Sequence, residues 1–194
     1  MFTRKESFKE FLQFYPIVSI LVIINLVLFI IGYIPFLPRN WIFETFSGVN
    51  LYVADGEYWR LLTPIFLHNG FTHLLFNCFS LILFGPALER IVGKGKFITI
   101  YLLSGIGANI ATFLIQPLTY THVGSSGAIF GLFGFYLAII SLKKEMLSRE
   151  NSQLIKTIAI LSIIMTFLQP NINVTAHLFG LVAGYLIGAV MLKK

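Results

Sequence analysis

The chain has 194 residues, of which 57% are hydrophobic and only 11% are charged. Soluble domains carry roughly 25% charged residues, so this composition excludes a soluble globular protein and indicates an integral membrane protein. The net charge of +6 does not indicate a nucleic-acid partner, because the lysines and arginines are spread between apolar segments and form no basic face.

The N-terminal part of the chain predicts a surface stretch followed by a first span. Residues 1–13 mix charged residues with phenylalanines, a pattern typical of an amphipathic segment at a membrane surface. Residues 14–38 carry no charge, and about 20 apolar residues are enough to cross the hydrocarbon. No small-residue cleavage site follows them, so we interpret this segment as a retained span and not as a signal peptide.

The next segment, residues 39–60, is a loop that contains both tryptophans of the chain, Trp41 and Trp59. Aromatic and arginine side chains at this density are typical of the membrane interface. We therefore expect this loop to lie partly in the interface.

The apolar runs that follow predict three more spans. The second span begins near Phe71 and ends near residues 86–88, before a short polar turn. Residues 97–142 carry no charge and are too numerous for one crossing, so they predict spans three and four, joined by a turn at 116–124.

The C-terminal part predicts two final spans. Residues 143–156 form a charged loop, and the apolar run 157–192 is interrupted at 169–173 by Gln-Pro-Asn-Ile-Asn. The predicted fold is therefore an all-α integral membrane protein, a polytopic bundle of six transmembrane helices. We divide it into the N-terminal stretch 1–13 and one six-span domain, 14–194.

Basic residues predict the orientation. With six spans both termini lie on one side, and every lysine and arginine except Arg39 and Arg60 falls on that side. The positive-inside rule then puts both termini and the stretch 1–13 in the cytoplasm of a multi-pass protein. We expect this membrane to be a bacterial cell membrane, which is an expectation separate from the charge count. The turns at 116–124 and 169–173 belong to the outer side.

On this topology three polar residues share one depth. Spans two, four and six all run inward from the outer face, and His73, Ser126 and His177 lie near their beginnings. Polar residues inside spans are costly and mark functional sites. The chemistry that they offer is a serine nucleophile, Ser126, activated by the base His177.

Other catalytic classes lack their residues. The chain has one aspartate, Asp55, and each glutamate lies outside a span or at the end of one, as Glu89 does, so we expect a Ser-His pair without an acidic partner. An aspartyl mechanism needs two intramembrane carboxylates, and a zinc mechanism needs a cluster such as His-Glu-x-x-His. A single cysteine, Cys78, excludes a cysteine zinc site. We expect no metal and no other cofactor.

Two spacings support the same site. His73 and Asn77 are four residues apart, so they lie on one helical face and could donate to an oxyanion together with the Ser126 amide. Taken alone, the pair indicates only hydrogen bonding between helices. Glycines at every fourth position follow Ser126 and His177, and small residues at this spacing predict a close approach of spans four and six.

These residues carry a family resemblance. The run GSSGAIFG at 124–131 resembles the Gly-x-Ser-Gly-x-x-x-Gly motif of the rhomboid intramembrane serine proteases, and AHLFGLVAG at 176–184 resembles their sixth-span Ala-His-x-x-Gly-x-x-x-Gly. The spacing of His68, His73 and Asn77 matches the His-x4-His-x3-Asn of their second span. The dipeptide at 59–60 matches the Trp-Arg of their first outer loop. Together, four motifs that follow one another along the chain as they do in the family are a specific indication of that family.

The resemblance implies the catalytic roles. It implies Ser126 as nucleophile, His177 as general base, and His73 and Asn77 as oxyanion donors, within a motif supported by Gly124, Gly127 and Phe130. Phe130 stands where many relatives have a tyrosine packed on the catalytic histidine, so it keeps the ring and loses the hydroxyl. The resemblance also implies that span five helps to form a lateral gate for a substrate helix.

Two further histidines are given structural or solvent roles. We expect His68 to be structural rather than catalytic, and His122 to be a solvated loop residue. Ser125 precedes the helix at the variable position of the motif, so we expect it to be dispensable for activity.

The leading hypothesis is an intramembrane serine endopeptidase that cleaves single-span membrane proteins near the outer face. A non-catalytic relative that binds or chaperones membrane helices is the alternative, although such a protein need not retain the serine and histidine. A transporter needs a polar path into the cytoplasmic half, whereas spans four and six become apolar below Ser126 and His177. The substrate, cleavage site, pathway and oligomeric state are not readable from the sequence.

Overall fold

The computed structural model describes residues 5–34 and 39–193. Parts of three sequence predictions lie outside the described residues: the start of the amphipathic stretch at 1–4, the end of the first span at 35–38, and Lys194. Over the described residues the chain is helical, with helices α1 Phe8–Phe14, α2 Pro16–Tyr33, α3 Arg39–Phe46, α4 Asn50–Ala54, α5 Phe71–Val92, α6 Lys94–Ile115, α7 Ser126–Leu142, α8 Arg149–Leu168 and α9 Val174–Met191.

Short elements fill the connections. Three 3-10 turns cover Tyr58–Leu61, Thr63–Phe66 and Lys144–Met146. Two strands of two residues each, β1 Gly48–Val49 and β2 Thr121–His122, pair antiparallel with Gly48 opposite His122.

The predicted all-helical membrane architecture is confirmed. Among the described residues, five helices of 18–22 residues are long and apolar enough to cross a membrane, namely α2, α5, α6, α8 and α9. The predicted fourth span corresponds to α7, which has only 17 residues. Large apolar side chains on these helices are exposed, for example Leu114 at 73% and Val190 at 72%, as lipid-facing side chains must be.

Three helix boundaries differ from the prediction. Helix α6 begins at Lys94, three residues before the uncharged run that starts at 97. Helix α8 begins at Arg149, within the segment predicted as a charged loop, because the Ser148 side chain accepts a hydrogen bond from the Asn151 N–H and caps the helix. Helix α5 continues to Val92 past Pro86, which lies inside it. The division of the chain into 1–13 and 14–194 stays a prediction.

The described chain forms two compact units. The first holds the described residues up to Ile98 together with Gln116–Ser125, and the second holds Thr99–Ile115 and the described residues from Ser126 onward. In the first unit α2 packs on α5, where Gly85 leaves room for Val18. The Glu89 carboxylate, also from α5, accepts the Ile17 and Val18 N–H groups at 3.1 and 3.0 Å and so caps α2.

In the second unit α7 pairs with α9 over much of their lengths. Twelve of the seventeen residues of α7 are buried. A helix that is apolar on all sides belongs in a core. The N-terminal residue of this buried helix is Ser126.

Candidate active site

The close pairing of α7 and α9 depends on glycines. A Cβ at Gly180 would run into the Gly127 carbonyl oxygen, and one at Gly184 would run into the Gly131 carbonyl oxygen. Only a residue without a side chain allows the two backbones to touch in this way. The predicted close approach of these two spans is therefore confirmed.

The contact brings Ser126 and His177 together. His177 Nε2 lies 2.8 Å from Ser126 Oγ, a good hydrogen-bond distance. The His177 side chain is 8% exposed, so water has little access to it. Asn173 is the N-cap of α9, and its side chain accepts a hydrogen bond from the Ala176 N–H at 2.9 Å. This cap fixes the first turn of the helix, which carries the imidazole.

The imidazole is also held by an aromatic ring. Phe130 lies one helical turn after Ser126, and its ring stacks on that of His177 with centroids 4.2 Å apart and an interplanar angle of 17°. The ring packing that the resemblance implies for this position is present without the hydroxyl.

A third side chain at this site was missed by the sequence analysis. Thr166 of α8 is 2% exposed, and its Oγ1 lies 2.8 Å from His177 Nδ1. A carboxylate in an apolar run is marked by its charge, whereas a threonine in such a run carries no signal of its own.

The predicted oxyanion donors belong to the other unit. His73 and Asn77 lie on one face of α5, as their spacing predicts, and the Asn77 side-chain amide donates to the His73 carbonyl oxygen at 2.9 Å. Asn77 is buried and His73 is half-buried.

Gly124, in the same unit, lies against the His73 ring. A Cβ at Gly124 would be 2.6 Å from His73 Nε2, and its φ of +126° is a conformation that other residues rarely adopt. Its N–H donates to the Pro64 carbonyl oxygen at 2.8 Å. The motif therefore requires glycine here for two independent reasons. Ser125 follows directly, and the peptide bond after it leads into Ser126.

His68 contacts Ser125, and the structural role expected for it stays a prediction. Its Nε2 lies 3.3 Å from Ser125 Oγ, and both residues are almost fully buried, at 1% and 0% exposed. Burial and the nearby His73 lower the pKa of His68 to about 3, so it is neutral at physiological pH.

The expectation for His122 was wrong. It lies in β2, its ring stacks on Tyr120 at 6.1 Å, and a Cβ on the opposite Gly48 would run into it. Burial lowers the pKa of His122 to about 4, so this is a packed and neutral side chain. The tight pairing of β1 with β2 was not visible in the sequence, because two-residue strands carry no periodicity.

Within residues 5–34 and 39–193, no three histidine, cysteine or carboxylate side chains are grouped so that they could hold a metal ion. The groups that the structure brings together in the second unit are the Ser126 hydroxyl, the His177 imidazole and the Thr166 hydroxyl.

Comparisons with known proteins agree on a family. A sequence model of the Rhomboid domain matches residues 55–194. The rhomboid-family protein YdcA of Bacillus subtilis is 46% identical over all of this chain and 98% of its own length. The rhomboid protease GluP of Bacillus subtilis is 41% identical over 73% of this chain and 28% of its own length, and the rhomboid protease AarA of Providencia stuartii is 32% identical over 72% and 59%. The chain therefore belongs to the rhomboid family of multi-pass membrane proteins.

Proposed function

We propose that this rhomboid is an intramembrane serine endopeptidase in which Ser126 is the nucleophile and His177 the general base. The observation that carries the proposal is the 2.8 Å contact between His177 Nε2 and Ser126 Oγ, in a part-buried position where the Phe130 ring stacks on the imidazole. A nucleophile and a base within hydrogen-bond reach are what acyl transfer by serine requires. Family relatives that carry the name of rhomboid proteases support the same class of reaction.

The reaction follows from these two groups. Ser126 Oγ attacks the carbonyl carbon of the scissile peptide while its proton passes to His177 Nε2, and the carbonyl π electrons move to the oxygen. As the tetrahedral intermediate collapses, Nε2–H gives its proton to the leaving amine. Water then repeats the sequence on the acyl-enzyme and releases the carboxylic acid product.

Ser126 also begins α7, so its N–H and those that follow have no partner within the helix. Such groups, with the positive end of the helix dipole, favour an anion. We propose that the Ser126 N–H, His73 and Asn77 stabilise the oxyanion. Support comes from the chain itself, because Gly124, which lies against the His73 ring, is only two residues from Ser126.

The substrates that we propose are single-span membrane proteins, cleaved near the outer face. Helix α7 has 17 residues and is about 26 Å long, shorter than the roughly 30 Å hydrocarbon core. If its C-terminal end reaches the cytoplasmic interface, where Lys143 and Lys144 follow, then Ser126 lies below the outer surface. The distribution of lysine and arginine supports cytoplasmic termini, and the similarity to YdcA of Bacillus subtilis supports a bacterial cell membrane.

We propose that α8 helps to form the lateral gate that admits a substrate helix, and that it returns to its closed position before catalysis. Only three of its residues, Ile155, Ala159 and Thr166, are buried, so little packing opposes its displacement. The loop 39–60 is proposed to lie partly in the outer leaflet, with exposed Trp41 and Trp59 as anchors.

The test uses purified protein in liposomes and a fluorophosphonate probe, which needs no knowledge of the substrate. The wild type should be labelled on Ser126 and should cleave single-span reporter proteins that contain helix-destabilising residues. Ser126→Ala and His177→Ala should lose both reactions. Cleavage that persists in Ser126→Ala would refute the proposal and favour a contaminating protease, whereas a folded wild type that is neither labelled nor active would favour a non-catalytic helix-binding role.

A further inference from the structure

The hydroxyl of Thr166 lies between two partners. Its Oγ1 is 2.8 Å from His177 Nδ1 and 2.8 Å from the carbonyl oxygen of Ser162, one turn earlier in α8. The residue is 2% exposed, so water does not compete for these contacts. The other two buried residues of α8 are Ile155 and Ala159. Four residues separate Ile155 from Ala159 and seven separate Ala159 from Thr166, so all three lie on the inward face of the helix.

The direction of these hydrogen bonds follows from the groups themselves. A carbonyl oxygen can only accept, so the single Thr166 hydroxyl proton is donated to the Ser162 oxygen. Thr166 Oγ1 can then only accept from the imidazole, which requires the proton on His177 Nδ1. A neutral imidazole protonated at Nδ1 has its lone pair on Nε2, the nitrogen 2.8 Å from Ser126 Oγ.

We propose that Thr166 is a positioning residue that holds His177 in the tautomer able to accept the Ser126 proton. This inference rests on the proposed function, because it assigns the orientation of the same catalytic base. Thr166 takes the place that an acidic residue fills in other serine hydrolases, whose partner also fixes the tautomer and stabilises the imidazolium.

The proton balance of the reaction is preserved. When Ser126 Oγ–H transfers its proton to Nε2, the Nδ1–H of the resulting imidazolium continues to donate to Thr166 Oγ1. That hydrogen bond becomes charge-assisted and therefore stronger. When Nε2–H passes to the leaving amine, the imidazole returns to the Nδ1–H form, and Thr166 has neither gained nor lost a proton.

The first measurement compares Thr166→Val with Thr166→Ser. Valine keeps the shape and removes the hydroxyl, whereas serine keeps the hydroxyl. We expect Thr166→Val to lower kcat and the rate of fluorophosphonate labelling about 10- to 100-fold, the range expected for one hydrogen bond to a charged group. KM should change by less than about 3-fold, and Thr166→Ser should recover most of the lost rate.

Thr112 offers a matched control. It is buried, it donates to the carbonyl oxygen one turn earlier at 2.9 Å, and it accepts from the Asn173 side chain at 3.0 Å. Thr112→Val therefore removes an equivalent hydroxyl of the same unit whose path to the imidazole is only indirect, through the Asn173 cap of α9, so its effect on kcat measures the cost of a purely structural change. The inference is supported if the two variants lower the thermal stability by similar amounts and Thr166→Val loses much more kcat than Thr112→Val. An equal loss of kcat in both variants would overturn it.

The second measurement reads the tautomer directly. In protein labelled with 15N-histidine, the signals of His177 are identified by their absence in His177→Ala. The wild type should show a protonated Nδ1 and an unprotonated Nε2, and Thr166→Val should show a mixture of tautomers or the reverse form. An unchanged tautomer with full activity in Thr166→Val would overturn the inference while leaving Ser126 labelling, and so the proposed function, intact.

Discussion

The rings of Phe130 and His177 lie nearly parallel, 4.2 Å apart between centroids, and each belongs to a different helix of one tightly packed pair. Because Phe130 is one turn from Ser126 on α7, the helix that carries the proposed nucleophile also carries the ring that stacks on the proposed base. A change in this ring should therefore act on catalysis more than on folding.

Replacing Phe130 by leucine should lower kcat/KM about 2- to 10-fold, because a stacked aromatic pair contributes roughly 0.5–1.5 kcal/mol beyond its burial. Phe130→Tyr keeps the ring and should stay within about 2-fold of the wild type if the added hydroxyl can reach water or a partner. Cleavage kinetics of a reporter substrate measure both. Wild-type activity in Phe130→Leu would mean that the stacking does not orient His177.

The glycine contacts make a prediction about stability. Adding a methyl group at Gly184 would overlap the Gly131 carbonyl oxygen, so α7 and α9 must separate. Gly184→Ala should lower the free energy of unfolding by at least about 1–3 kcal/mol and reduce Ser126 labelling. Thermal unfolding in detergent gives the first quantity.

Gly95→Ala is the matched control for this change. It also lies in a helix, but nothing is within 4 Å of the added Cβ. It should therefore be neutral or stabilise the protein by up to about 1 kcal/mol. A Gly184→Ala variant as stable as Gly95→Ala would contradict the close backbone contact.

Much of this architecture follows from the sequence for identifiable reasons. Uncharged runs longer than a helix needs to cross the hydrocarbon locate the spans, and the rows of glycines after Ser126 and His177 predict which two helices touch. These are local patterns, and each has one dominant physical meaning.

The parts that the sequence does not reveal depend on contacts between distant residues. Thr166 is one hydroxyl among apolar neighbours, and only the packing of α8 shows that it reaches His177 Nδ1. Likewise, the charges at 149–156 obscured the start of α8, where the Ser148 hydroxyl accepts from the backbone N–H and the side-chain amide of Asn151. The neutral, packed state of His122 depends on Gly48, which lies far away in the chain.

Substitutions at the neighbouring residues Ser125 and Ser126 should have opposite effects on stability and on activity. Ser125→Ala removes the hydroxyl that contacts His68 Nε2 at 3.3 Å and leaves a buried polar nitrogen without this partner. We expect a loss of about 1–3 kcal/mol in stability, with labelling and cleavage within a few-fold of the wild type at low temperature. Ser126→Ala should show the reverse, with normal stability and no activity. Loss of activity in a fully folded Ser125→Ala protein would contradict this division.

Glu89 should be a stability residue. Tyr15 provides no side-chain cap for α2, and the Glu89 carboxylate accepts the two free N–H groups of Ile17 and Val18 instead. Glu89→Ala leaves both without this acceptor and should cost about 2–5 kcal/mol, whereas Glu89→Gln keeps one acceptor oxygen and should cost less. Thermal unfolding should therefore rank wild type above Gln and Gln above Ala. Equal stability of all three would contradict the capping role.

His122 should make the protein sensitive to acid. Its pKa is lowered from 6.5 to about 4 in the folded chain, so between these pH values the unfolded chain binds more protons. The contribution of His122 to the free energy of unfolding is therefore fully present above pH 6.5 and decreases as the pH falls toward 4. The decrease is about 3 kcal/mol at most. His68, whose pKa is also lowered, adds a loss of the same sign.

The variant His122→Phe isolates this contribution, because it keeps a ring beside Tyr120 and cannot be protonated. Thermal unfolding of wild type and variant should be compared at pH 7.5 and at pH 4.5. The decrease in Tm between the two pH values should be smaller for His122→Phe, and His68 should contribute to the decrease that remains. If Tm falls by as much in His122→Phe as in the wild type, His122 is already solvated in the folded protein. The reason is that acid favours unfolding through a histidine only when that histidine is harder to protonate in the folded state than in the unfolded state.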